Sequence, residues 1–222
     1  MMSRKHPYLG GGVLSIWNDM APEAEEFYER WYMTEHFPER LAVPGFLRGR
    51  RYVAIDADRK YFTFYDLESP DVLFSKAYLE RLEAPTVWTQ TVMRSWSNMF
   101  RTVCERVRRK GDAIGGFALA ARWEGATDLP VDLADRIAAA LTDPRVVAVD
   151  AWRATSEQNA GSKEASTRAT PDATISAALV VETTSEGALT AVRDALPQLL
   201  GDLPGPGAVG LYRLIALQDA VP

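Results

Sequence analysis

This chain of 222 residues has few of the residues and motifs that announce a common chemistry, and each scarcity removes a class of function. Cys104 is the only cysteine, so no intrachain disulfide can form, and a reducing cytoplasm is the expected compartment. His6 and His36 are the only histidines, which rules out a three-histidine metal site within one chain. No metal and no cofactor are expected. The apolar runs fall far short of the roughly 20 residues that cross a bilayer. The N-terminal Met-Met-Ser-Arg-Lys-His-Pro-Tyr has no apolar core behind its basic residues. A net charge of -5 offers no broad basic surface, so neither nucleic acid nor membrane is an expected partner. The sequence has no Walker loop, dinucleotide glycine fingerprint, serine nucleophile elbow or zinc-spaced cluster. Gly10-Gly11-Gly12 precedes a strand rather than following one and reads as a flexible lead-in. What is present, 47% hydrophobic and 25% charged residues, is ordinary for a soluble globular protein of one large or two small domains.

The order of elements divides the chain near Lys110 to Gly116, giving expected domains 1–111 and 112–222. Val13–Trp17 reads as a strand, Pro22–His36 as a helix, and Phe46–Ile55 and Tyr61–Tyr65 as strands joined by a hairpin. A helix over Pro70–Glu83, a short one within Thr86–Trp96 and a strand over Asn98–Arg109 complete the first half. The second half repeats the order: strand Gly116–Trp123, helix Leu129–Leu141, strands Arg145–Trp152 and Thr174–Glu182, helix Ser185–Leu200, strand Val209–Leu217. Ser156–Pro171, polar and rich in small residues, reads as a mobile loop. This is the order of a split βαβ unit occurring twice, so the expected fold class is α+β: two tandem ferredoxin-like units. Val13–Trp17 is apolar on both sides, which asks for cover on both faces of its sheet. Helices supply one cover; the sheet of the second half supplies the other, closing a barrel within one chain. Only Phe117, Trp123, Trp152 and Tyr212 are aromatic beyond the linker. The bulky, polar-tipped side chains that line small-molecule pockets therefore lie in the first half, where any site is expected.

The most specific signal is Phe27-Tyr28-Glu29-Arg30-Trp31-Tyr32-Met33-Thr34-Glu35-His36-Phe37-Pro38. At about 100° per residue, Phe27, Tyr28, Trp31 and Tyr32 share an arc roughly 140° wide, with Glu35 near its middle and His36 just past its edge. A carboxyl group among rings loses hydration, which raises its pKa and suits it to proton transfer, and a histidine titrates near neutral pH without tuning. Glu35 and His36 are thus the candidate catalytic pair. The alternative is structural: Glu35 pairs with Arg48, Arg50 or Arg51, and His36 sits at a helix C-terminus. Strand alternation sends Arg48 and Arg50 to one face and Arg51 to the other. One of them would hold an anionic group of a substrate, Arg51 being the candidate, or all three line an edge strand. Tyr28, Trp31, Trp17, Tyr65 and Trp88 are the candidate ring contacts for a planar ligand, with Tyr52, Tyr61 and Tyr78 in the same aromatic set. Cys104 reads as inert core.

Tyr28, Trp31 and His36-Phe37-Pro38, followed by Leu41 and Pro44-Gly45-Phe46, resemble the EthD-like branch of the dimeric α/β-barrel proteins, as does Pro85-Thr86-Val87-Trp88-Thr89. The likeness covers the first half by motif and the second by topology only. It implies ferredoxin-like sheets paired into a barrel, with a pocket between sheet and helices. The wider superfamily includes small monooxygenases, polyketide cyclases, muconolactone isomerases and stress-response proteins. Some two-domain relatives bind haem through a histidine in the second domain; no histidine follows His36 here, which argues against that arrangement. The expectation is a cofactor-independent enzyme (isomerase, cyclase or monooxygenase type) acting on an aromatic or polyketide-like compound. The alternatives are a non-catalytic binding protein for an apolar metabolite and a structural assembly module. The expected partner is a small-molecule ligand, with a homodimer left open.

Overall fold

A computed structural model describes residues 9–159, 161–168 and 170–221; His6 and the N-terminal octapeptide considered above lie outside them. The first half forms β1 (Gly12–Met20), β2 (Phe46–Asp56), β3 (Tyr61–Leu67) and β4 (Trp96–Lys110), and the second β5 (Phe117–Trp123), β6 (Val146–Ala154), β7 (Ala177–Thr183) and β8 (Ala208–Asp219). All pairings are antiparallel, and the order β1-β3-β2-β8-β5-β7-β6-β4 closes on itself. Two seams join the halves: β2 to β8, with Arg51 opposite Ala216, and β4 to β6, with Arg106 opposite Trp152. The strand apolar on both sides is thus covered on both sides, as its composition demands. No helix is long and apolar enough to cross a membrane among the described residues.

Alternation along each strand sorts side chains into two layers. In β3, Tyr61 and Tyr65 join the layer beneath the helices, while Phe62 and Phe64 point into the barrel. Leu14 and Ile16 of β1 face the helices, and Val13 and Trp17 the barrel. The barrel interior is filled: Trp17 stacks on Phe62 at 4.7 Å, and Tyr52 lies nearly parallel to Phe64 at 6.0 Å.

Closure removes the edge strand on which three arginines were one option. β2 has a neighbour on either side, and each arginine has its own acid. Arg48 pairs with Asp219 of β8, and Arg51 takes Glu29 with two bonds of 2.9 and 3.0 Å. Arg50, inside the barrel end, bonds both Asp66 and Glu182 at 2.7 Å. Arg106 and Arg109 extend that cluster through Asp66, Asp150 and Glu182, so its charges are drawn from both halves.

The first helix also departs from expectation. It starts with a 3-10 turn (Pro22–Ala24), continues as α1 (Glu25–Trp31), widens into a π turn (Tyr32–His36), and runs on as α2 (Phe37–Leu41). The Phe37 amide donates to the Tyr32 carbonyl, five residues back. In a regular helix the Pro38 ring would clash with the Thr34 carbonyl and leave it without a donor; the wider turn absorbs both problems. Gly49 of β2 lets this helix dock, because a Cβ there would sit 2.2 Å from Phe37 Cε2. α3 (Lys76–Glu83) and α4 (Val87–Met93) complete the cover of the first sheet, and α5 (Leu133–Ala140) and α7 (Glu186–Leu200) cover the second.

The segment read as a mobile loop is tied down. It contains a single turn, α6 (Lys163–Ser166), and lies across the helices of the first half. Gln158 pairs with the Val103 backbone through both ends of its amide, at 2.8 and 3.0 Å. Asn159 bonds the Leu73 carbonyl at 2.7 Å and accepts from Arg101 at 2.6 Å, and Glu164 takes Arg40.

Candidate functional site

The π turn decides which of two adjacent residues faces inward. One extra residue in the turn shifts the phase of everything after it, and His36, not Glu35, becomes the enclosed one, at 3% exposure. The imidazole lies 4.3 Å from the Trp31 ring and 5.1 Å from Tyr32, with Trp96 at 6.4 Å. Tyr28 closes the group, 5.9 Å from Trp96. These rings form a cage between α1 and the sheet.

Three polar atoms on its walls, His36 Nδ1, Tyr28 OH and Trp96 Nε1, are buried and make no full hydrogen bond among the described residues, although Arg51 and Asn18 lie close enough to the Tyr28 hydroxyl to act on it. Buried polar atoms are nearly always satisfied, so these three are open to a ligand or to water, as are Trp17 Nε1, Tyr52 OH and Trp152 Nε1 inside the barrel. Burial, with Arg40, Arg51 and Arg168 nearby, holds the imidazole well below its ordinary value of 6.5. His36 is therefore neutral at pH 7 with a free lone pair. The helix runs on through α2, so His36 is not at a helix C-terminus, which corrects the structural expectation for it. Burial likewise raises the Tyr28, Tyr32 and Tyr65 phenols, leaving them protonated.

Glu35 sits at the half-buried rim and has no arginine. Its Oε1 accepts from Trp31 Nε1 at 3.2 Å, Thr86 Oγ1 at 2.6 Å and Thr89 Oγ1 at 3.0 Å. Thr86 also caps α4 by accepting from the Thr89 amide at 3.0 Å. One carboxylate oxygen thus fixes the Trp31 ring and ties α4 to α1.

The other sequence candidates divide by layer. Arg51 belongs to the cage: its guanidinium lies 3.7 Å from the centre of the Tyr32 ring, and its Nε has no partner. Tyr65 joins from the sheet, its hydroxyl 3.2 Å from that of Tyr32. Trp17 is on the opposite face, inside the barrel with Tyr52, and the sheet separates it from His36. Trp88 is half-buried outside the cage, packed on Phe27 at 5.6 Å. Cys104 is buried beside Ser15, and burial pushes its thiol up to about 12, the inert state expected of it.

Trp96 was missed because it was placed at the end of a helix; it opens β4 instead. Arg40 and Glu164 were missed because they lie 124 positions apart, beyond any local pattern. Two hollows among the described residues lie outside the first half. A groove of about 450 Å³ follows the end of α7 between Leu196, Leu200, Leu203 and Val209, and one of about 340 Å³ lies on the segment around Arg168 and Asp172. Neither is lined by Glu35 or His36: the cage is packed by its own side chains.

No family model matches this sequence, and neither does any curated protein. Solved structures do match in fold. An anthrone oxidase-like protein aligns with a TM-score of 0.60 at 12% identity, over 95% of this chain and 93% of its own. A candidate monooxygenase from Fusobacterium nucleatum aligns at 0.57 with 8% identity, over 95% of each chain. A candidate chlorite dismutase aligns at 0.56 with 13% identity, over 94% and 96%. These identities speak for the fold alone: the chain is an α+β protein with a closed eight-stranded antiparallel barrel, a fold it shares with these structures.

Proposed function

We propose that the chain is a small-molecule enzyme of the monooxygenase type, EthD-like within its superfamily, acting on an aromatic or polyketide-like ring without a resident cofactor. The observation that carries this reading is His36: a neutral imidazole enclosed by rings, its Nδ1 free of any partner. Such a group accepts a proton from an activated ring C–H or O–H, the step that oxygenation, isomerisation and cyclisation of these compounds share. Tyr28 OH and Trp96 Nε1 are the donors available to a substrate carbonyl, Trp31 and Tyr65 supply ring contact, and Arg51 favours negative charge as it develops. Glu35 acts through Trp31 and α4 rather than on the substrate. Since the cage is packed, a ligand enters by displacing side chains or the covering segment around α6. The single buried thiol suits a reducing, cytoplasmic setting.

Oxygen uptake with a 9-anthrone tests this reading, a choice guided by the printed name of one structural neighbour. Turnover at saturating substrate that falls about 100-fold or more in His36→Leu is the expected result. Turnover that survives the substitution would contradict it, and binding with no turnover in the unmodified chain would favour the carrier reading.

A further inference from the structure

Arg40 follows His36 by one turn of helix, and its side chain is only 3% exposed. A buried guanidinium carries five donors and needs a matched acceptor. Elsewhere in this protein that need is met with paired bonds: Arg51 to Glu29, Arg122 to Asp58, Arg168 to Asp172. Arg40 differs. Only its Nη2 is engaged, by Glu164 Oε2; Nη1 is buried without a hydrogen-bond partner, with the Glu39 carboxylate 3.7 Å away. The guanidinium also lies 5.7 Å from the centre of the Tyr78 ring, so a planar surface borders the charge.

Glu164 arrives on the four residues of α6, from the segment that crosses the first half. That segment is fastened by Gln158 at one end and by the Arg101 amide on the Ala173 carbonyl, at 2.9 Å, at the other. Between these points Asn159, Lys163 and Arg168 add polar ties, and its residues are mostly small and polar, so hydrogen bonds rather than apolar burial oppose movement of the α6 turn.

We propose that Arg40 is the anion-binding centre of the His36 site, that the chain's own Glu164 carboxylate occupies it in this structure, and that the substrate is a ring compound bearing a carboxylate, enolate or phenolate that takes Glu164's place. This rests on the reading of the cage as the ligand site and adds the substrate's charge to it. The exchange swaps one anion for another, so Arg40 never stands unpaired and Glu39 faces the same charge before and after. Glu164 moves into solvent, where a carboxylate is well hydrated. An internal competitor lowers apparent affinity by the fraction of time it holds the site.

The test uses two fluorescent probes of one shape: anionic 1-anilinonaphthalene-8-sulfonate and its neutral parent, N-phenyl-1-naphthylamine. Glu164→Gln is expected to bind the anionic probe roughly tenfold tighter than the unmodified chain, with no change for the neutral one. The double variant Arg40→Gln/Glu164→Gln, which buries no unpaired charge, is expected to lose that gain. In the unmodified chain, the Ser166 and Thr167 amides are expected to exchange faster when the anionic probe binds and not when the neutral one does. An equal gain for both probes, a gain that persists without Arg40, or unchanged exchange would overturn the proposal. If the Glu164→Gln and Arg40→Gln/Glu164→Gln results show no charge preference while both probes weaken in His36→Leu, the anion centre falls and the site stands. If neither responds to His36→Leu, the ligand lies elsewhere and both readings fall.

Discussion

The two halves follow the same path of strands and helices, yet the layers beneath their helices are filled differently. Under α5 and α7 the buried residues are Leu, Ile, Val and Ala apart from Trp123, whose Nε1 donates to the Pro204 carbonyl at 2.7 Å. Under α1 and α2 the layer adds to Leu14, Ile16, Met20 and other aliphatic residues the rings of Tyr28, Trp31, Tyr32, His36 and Trp96, three of which have a buried polar atom with no full hydrogen bond. No residue of the second layer carries one. One topology therefore serves two purposes. An aliphatic layer leaves no polar group to satisfy and is pure support; the aromatic layer accepts the penalty of orphaned donors and acceptors, which only a ligand or solvent relieves.

The largest effect is expected where the halves join. Arg50→Ala leaves Asp66 and Glu182 buried with one cation fewer, and should cost about 3–5 kcal/mol in urea unfolding. A loss under about 1 kcal/mol would mean that strand pairing alone holds the halves together. The contrast between the layers is sharpened by a pair of substitutions. Leu189→Ala, beneath α7, should cost about 2–5 kcal/mol through the cavity it leaves. Tyr28→Phe deletes a hydroxyl held only by weak polar contacts with Arg51 and Asn18, and should cost under about 1 kcal/mol. Equal costs would erase the distinction.

A smaller effect comes from pH. The His36 value is depressed in the folded chain, so below its ordinary 6.5 the unfolded chain binds a proton that the folded one refuses. Stability from this group is whole above that value and falls as pH drops toward the folded value, by up to about 1.4 kcal/mol per pH unit. His36→Leu should remove that part of the acid slope, read from urea midpoints at two pH values; an unchanged slope would place the imidazole in water. Smallest is the reactivity of Cys104: its thiol should resist Ellman's reagent until the protein unfolds.

Much of this was legible in the sequence because short periods report local geometry. The order of strands and helices, the double cover of β1 and the opposite faces of Arg50 and Arg51 all follow from alternation and turn residues. Alternation could not say which face lies under the helices, so Trp17 was grouped with Tyr28 although the sheet divides them. The helical wheel set Glu35 within the aromatic arc and His36 at its edge, and the structure has the reverse, because a uniform 100° step cannot anticipate a π turn. The Arg40–Glu164 contact has no local signature at all.

The central claim is that His36 is a neutral proton acceptor inside a ligand site, and a carbon-13 titration of its imidazole tests it most directly. The account predicts a resonance that does not titrate around the ordinary value of 6.5, and that moves when a 9-anthrone is added. A resonance that titrates near the ordinary value of 6.5 and ignores the ligand would contradict it.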